Sequence, residues 1–136
     1  NMERSERRAI GRVAFPSKGV MVVCDTQEVL HVGVRDLGPI GVGIRADADT
    51  PKLIGKDVIM IAETLIMYAD VVRQDQLPDG SWSIGLAARK FSKDVLQYLY
   101  DGIEINGRYR ITTKSAFCGK NPIGQYVTGW VDKKDI

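Results

Sequence analysis

The residues best suited to bind an anion lie near the start of the chain, in the stretch RSERRAIGR over residues 4–12. Four of these nine residues are arginines: Arg4, Arg7, Arg8 and Arg12. A guanidinium group binds phosphate through paired hydrogen bonds, stacks on aromatic bases and contacts the O6 and N7 atoms of guanine. Seen alone, such a stretch is most often a solvated arm. Arg8 and Arg12 stand four residues apart with only small or apolar residues between them, which favours a shared anionic ligand.

A second candidate is VRDLGPIGVGI, residues 34–44. Asp36 ends one predicted strand, and Gly38, Pro39 and Gly41 form a sharp turn before the next strand. The Asp36 carboxylate suits the N1–H and N2–H donors of a guanine, and the glycines let a ligand approach the backbone closely. A plain hairpin turn explains the same residues. The stretch therefore indicates a guanine-nucleotide site only in combination with the arginines.

The rest of the composition excludes several classes of function. The chain has one histidine and two cysteines, Cys24 and Cys118, with no CxxC pair, so we predict no metal site and no catalytic set. We expect free thiols rather than a disulfide. A net charge of +2 is too balanced for general nucleic-acid binding. Since the chain shows neither a signal-peptide pattern nor an apolar run of ~18 residues, we predict a cytoplasmic protein without a membrane span.

The elements that must position these residues are mostly strands. A length of 136 residues fits one domain. Short apolar or alternating stretches, bounded by turn residues, cover residues 19–25, 28–36, 42–46, 57–63, 64–74 and 81–89. Short strands at this spacing predict a mainly β sandwich or small barrel.

One stretch, FSKDVLQYLYDG over residues 91–102, has helical rather than β spacing. We predict a helix over residues 92–100 that Ser92 caps and Gly102 ends, with Leu96 and Leu99 buried. Such a helix would cover one open end of a barrel. Residues 103–136 are predicted to form a β-rich extension, with strands at 108–117 and 124–131.

Together these features resemble the PilZ domain family. RAIGR, residues 8–12, is similar to the family's RxxxR motif, and DLGPIG, residues 36–41, resembles its (D/N)xSxxG motif. The resemblance covers residues 4–102. It implies a six-stranded antiparallel β-barrel with a C-terminal helix over residues 13–102, preceded by a flexible arm over residues 1–12. It also implies a receptor for the bacterial second messenger cyclic di-GMP rather than an enzyme.

The resemblance assigns roles residue by residue. Arg8 and Arg12 would contact phosphates and guanines, and Asp36 would hold a guanine edge. Gly41 would let the ligand lie against the backbone. Arg7, like Arg4, lies outside the strict motif and would add charge or stack on a base.

Gly38 departs from the family, which usually has a serine at this position. Loss of one neutral hydrogen bond weakens binding by about tenfold or less, so we expect cyclic di-GMP binding to survive.

The ligand would order the arm against the barrel, and an effector protein or a fused domain would read that change, in motility, exopolysaccharide synthesis or a related output. Two alternatives stay open: a degenerate PilZ-type interaction module that binds no nucleotide, and a β-barrel nucleic-acid binder. A homodimer also stays open.

Several other conspicuous residues receive structural interpretations. We expect His31 on the barrel surface and Cys24 as a small core residue. Trp82 and Trp130 are expected to pack rather than to stack on a ligand. The stretch RKFSK, residues 89–93, is expected to be solvated.

Overall fold

Six strands close into an antiparallel barrel. A computed structural model describes residues 13–62, 65–113 and 128–136. The barrel strands run in the spatial order β1-β2-β3-β6-β5-β4, which confirms the predicted mainly β fold with a six-stranded antiparallel barrel. Their bounds are Val13–Val23 for β1, Val29–Leu37 for β2, Gly41–Ala46 for β3, Asp57–Ala62 for β4, Leu65–Gln76 for β5 and Trp82–Ala88 for β6.

A short helix, α1 over Lys93–Leu99, follows the barrel. The Ser92 hydroxyl accepts a hydrogen bond from the Val95 amide at 3.2 Å, as an N-cap does. Leu96 and Leu99 are buried, so the predicted helix, its cap and its apolar face are confirmed. The predicted stop is wrong, because the helix ends at Leu99 and Gly102 lies inside the next strand with φ +91°.

The chain continues into a separate antiparallel sheet. Its strands are β7 (Tyr100–Ile105), β8 (Arg108–Thr112) and β9 (Thr128–Asp132), in the order β7-β8-β9, and a 3-10 helix follows over Lys133–Asp135. This sheet agrees with the β-rich character predicted for the C-terminal part of the chain. The parts of the predicted strands that fall within 114–127 lie outside the described residues.

The barrel wall is apolar on both faces along β4 and along residues 20–23 of β1. Met21 and Met60 point into the barrel, whereas their neighbours Val22 and Ile59 point outward. Those outward residues form a second core with α1 and the C-terminal sheet; its buried members include Leu96, Leu99, Ile111 and Val131. The helix therefore packs against the outside of the barrel wall, and the expectation that it covers an open end is wrong. The apolar outer face of the barrel wall explains this position, because α1 and the C-terminal sheet together cover that face.

Other structural predictions have mixed outcomes. His31 is exposed, and Trp82 packs against the barrel core while its Nε1 donates to the Ala48 carbonyl at 3.2 Å. Trp130 differs from expectation, because it is 39% exposed and lies 5.6 Å from the Arg108 guanidinium. Within the described ranges, none of the helices has the length and apolarity needed to cross a membrane.

Candidate ligand-binding site

The turn between β2 and β3 presents the predicted acidic residue on the outside of the barrel. Strict alternation along β2 from Val34, which points inward, would also send Asp36 inward. A β-bulge between Val34 and Asp36 changes the register by one residue. Asp36 therefore lies on the outer face, opposite Gly43 of β3.

The Asp36 carboxylate rests on the bare backbone of Gly43. A Cβ placed on Gly43 would lie 2.9 Å from Asp36 Oδ1 and 3.2 Å from Oδ2. Real Cβ atoms are essentially never found closer than 3.0 Å to such an atom. The glycine at position 43 thus sets where the carboxylate sits.

Gly38 and Gly41, the two glycines predicted in this turn, have different roles. The Gly38 amide donates to the Gly41 carbonyl at 2.8 Å, which closes the hairpin. Gly38 is not among the glycines with positive φ, so its backbone is open to other residue types. A Cβ on Gly41 would lie 2.1 Å from the Leu86 carbonyl oxygen, so the close approach of β6 alone requires a glycine there.

A groove runs beside Asp36 across the outer faces of β3, β6 and β5. Its volume is about 480 Å³. Gly41 and Gly85 contribute backbone to it, Asp36 and Arg73 contribute charge, and the exposed side chains of Ile40 and Val72 add apolar surface. This combination of an acid, a base, apolar surface and bare backbone suits a ligand with a planar, hydrogen-bonding part.

The arginine arm attaches beside this turn. In the register of β1 and β2, Val13 pairs with Leu37 and Ala14 pairs with Asp36. Arg7, Arg8 and Arg12 themselves lie outside the described residues. The first strand, which directly follows Arg12 in the sequence, thus begins at the level of the predicted acidic residue.

Sequence reasoning missed three residues of this region: Gly43, Gly85 and Arg73. Gly43 and Gly85 are directly paired on adjacent strands, and Arg73 is paired with Gly85. The glycines at positions 43 and 85 were visible in the sequence inside predicted strands, where a glycine often marks close approach of another group. Which strands would be neighbours was not visible.

A second polar cluster lies where β6 leads into α1. The Tyr68 hydroxyl donates to Asp57 Oδ2 at 2.5 Å and accepts from Arg89 Nη1 at 3.3 Å. Arg89 also pairs with Asp70 at 3.0 Å and lies 4.9 Å from the Tyr68 ring centroid. Arg89 is thus exposed, as expected for the RKFSK stretch, and is also held in a network of contacts.

Burial dominates the acid–base behaviour of this cluster. It raises the pKa of Tyr68 to about 12, and the hydrogen bond to Asp57 acts in the same direction. Burial likewise raises the pKa of the Cys24 thiol to about 12, with the Asp57 charge adding to the effect. Cys24 is a free, half-buried thiol that packs against the second core, close to the expected small core residue. The Cys24 thiol therefore stays protonated at neutral pH, which makes it a poor nucleophile.

A cavity of about 380 Å³ lies between α1 and the C-terminal sheet. Leu96, Tyr100 and Tyr109 line it, and Lys133 at its rim is ion-paired with Glu104. In the described part of the chain, no group of three or more histidine, cysteine or acidic residues is arranged to hold a metal ion. The cavity is lined by two lysines, Lys93 and Lys133, whereas the groove beside Asp36 has both an acidic and a basic side chain in its lining.

No family model, curated protein or solved structure matches this chain. The interpretation of the two motifs as a PilZ site thus stays a prediction.

Proposed function

We propose that this chain is a PilZ-type receptor for cyclic di-GMP. One observation supports the proposal: the β1–β2 register pairs Ala14 with Asp36, so β1, which directly follows the arginine stretch in the sequence, begins beside the acidic turn and its groove. The two motifs are some two dozen residues apart in sequence. In the barrel, Val13, the residue that follows the arginine motif, pairs with Leu37 next to the acidic motif.

The proposed contacts follow from the chemistry of the groups. Asp36 accepts hydrogen bonds from N1–H and N2–H of a guanine, and Arg8 and Arg12 contact the phosphates. Gly38 supplies no hydroxyl, so the charged contacts provide most of the affinity. Arg7 adds charge at the rim of the site.

Binding would signal by ordering the arm. Fixing the backbone of each residue costs about 1–2 kcal/mol of entropy, which the charged contacts to the ligand offset. The arm and the ligand would then present a new surface to an effector protein or a fused domain.

The direct test is calorimetric titration with cyclic di-GMP, with GTP and cyclic di-AMP as control ligands. We expect saturable binding of cyclic di-GMP alone. Arg8→Ala, Arg12→Ala and Asp36→Ala should each weaken it by at least tenfold, because a hydrogen bond to a charged group contributes about 1.5–3 kcal/mol. The melting temperature of the ligand-free protein should not change.

Asp132→Ala is the matched control for Asp36→Ala, because Asp132 is also a half-buried carboxylate at a strand end and lies on the other sheet. It should leave affinity unchanged. Absence of binding by the folded wild-type protein would overturn the proposal and favour the interaction module that binds no nucleotide. Binding that depends steeply on salt and does not distinguish cyclic di-GMP from other nucleic acids would favour the nucleic-acid binder.

A further inference from the structure

Four residues form one continuous row across the outer face of the barrel. Asp36 of β2 pairs with Gly43 of β3, Gly43 pairs with Gly85 of β6, and Gly85 pairs with Arg73 of β5. An acidic and a basic side chain thus lie on either side of β3 and β6, and the residues of β3 and β6 in this row are both glycines.

Both charged residues reach this face through a β-bulge. In β5 the register shifts between Val71, which points into the barrel, and Arg73. Strict alternation would have placed Arg73 on the inner face with Val71. The bulge in β2 does the same for Asp36. Bulges are frequent next to binding sites, where they redirect a side chain, and here the two of them redirect opposite charges toward one pair of glycines.

The two side chains lean toward each other over the glycines. The Asp36 carboxylate lies over Gly43, and Arg73 lies over Gly85, where a Cβ would be 3.2 Å from Nε and 3.4 Å from Nη2. Strands in a sheet are about 4.8 Å apart. The carboxylate and the guanidinium therefore bound a narrow strip of backbone, and both line the groove.

We propose that Arg73 is a further ligand-binding residue that determines base specificity. It would hold the O6 and N7 atoms of a guanine that lies flat over β3 and β6 with its N1–H and N2–H groups at Asp36. A guanidinium makes two hydrogen bonds to O6 and N7, whereas adenine presents an amino donor in place of O6. This inference rests on the proposed cyclic di-GMP site and adds to it Arg73 as a residue that reads the base.

Arg73 is available for this role. It pairs with Asp75 at 3.1 Å, but the two side chains are 54% and 63% exposed. Exposed ion pairs of this kind contribute little to stability, so a ligand can replace Asp75 without a large effect on the fold.

The experiment compares Arg73→Ala with Arg108→Ala by calorimetric titration with cyclic di-GMP. Arg108 is the matched control, because it is similarly exposed and pairs with Asp132 on the C-terminal sheet. We expect Arg73→Ala to weaken binding at least tenfold and Arg108→Ala to leave it within twofold of the wild type. Arg73→Lys keeps the charge but loses the forked geometry, so it should not restore affinity.

The outcomes separate this inference from the function on which it rests. Wild-type affinity in Arg73→Ala would overturn the role of Arg73 and leave the proposed receptor intact. Full affinity in Arg73→Lys would overturn the forked contact with the base. A wild-type protein that does not bind cyclic di-GMP would overturn both proposals.

Discussion

Replacing Gly43 with alanine tests whether the position of the Asp36 carboxylate controls ligand binding. The new methyl group would lie 2.9 Å from Oδ1 and 3.2 Å from Oδ2, closer than an atom of this kind tolerates. The carboxylate is the end of a side chain with rotatable bonds, so it will turn away rather than distort the sheet. Gly43 is not among the residues with positive φ, so the backbone accepts alanine.

The expected effects on stability and on affinity differ sharply. Glycine-to-alanine changes at unstrained positions raise stability by about 0.4–1 kcal/mol, which offsets the local crowding, so we expect the free energy of unfolding to change by less than about 1 kcal/mol. Moving the carboxylate should break at least one hydrogen bond between a charged group and the guanine. Each is worth about 1.5–3 kcal/mol, which corresponds to a loss of affinity of roughly tenfold to a hundredfold.

The assay pairs urea denaturation with calorimetric titration of cyclic di-GMP. Gly33→Ala is the matched control, because Gly33 lies in β2 and a Cβ there would meet nothing within 4 Å; it should bind like the wild type. Gly41→Ala is the contrasting case. Its Cβ would lie 2.1 Å from the Leu86 carbonyl oxygen, and we expect it to destabilise the barrel by about 1–3 kcal/mol. Wild-type affinity in a stable Gly43→Ala protein would refute the reasoning.

Three further predictions concern the helix, the turn and the buried thiol. Leu99→Ala should lower the free energy of unfolding by about 2–5 kcal/mol in urea denaturation, because Leu99 is fully buried against the barrel wall. Exposed Gln97→Ala should stay within about 0.5 kcal/mol, and equal effects of the two would contradict the packing of α1. Gly38→Ser should tighten cyclic di-GMP binding by up to about tenfold at unchanged melting temperature, since φ at Gly38 is not positive and the hydroxyl adds one hydrogen bond; weaker binding would show that the ligand needs the space. Cys24 in the folded protein should resist alkylation at pH 8 and react after unfolding, because a thiol pKa of about 12 leaves little thiolate; peptide mass spectrometry that finds rapid labelling of the folded protein would contradict the burial.

Local patterns in the sequence determined most of the secondary structure. Alternation of apolar and polar residues predicted the barrel strands, since the side-chain period of a strand is two. Ser92 and the apolar spacing through Leu96 and Leu99 predicted α1 because helix caps and helix faces depend on residues only three or four apart. Asp36, Gly38 and Gly41 could be proposed as a site because they share one turn.

The position of the helix needed long-range information. Val22 and Ile59 are apolar residues on the outward face of β1 and β4, and they contact α1 and the C-terminal sheet. The sequence showed uninterrupted apolar runs over residues 20–23 of β1 and 58–62 of β4. It did not show which element would cover the outward face, because that depends on packing between parts of the chain far apart in sequence.

The candidate site itself was decided by the tertiary structure. Counted by alternation, Asp36 and Arg73 belong to the inner face of the barrel, and only the two β-bulges bring them outside. Gly43 and Gly85 become one strip of backbone only because β3 and β6 pair in a register that no local pattern specifies. The sequence by itself thus determined the strands, the helix and the charged residues, whereas strand pairing decided which of those residues share a surface.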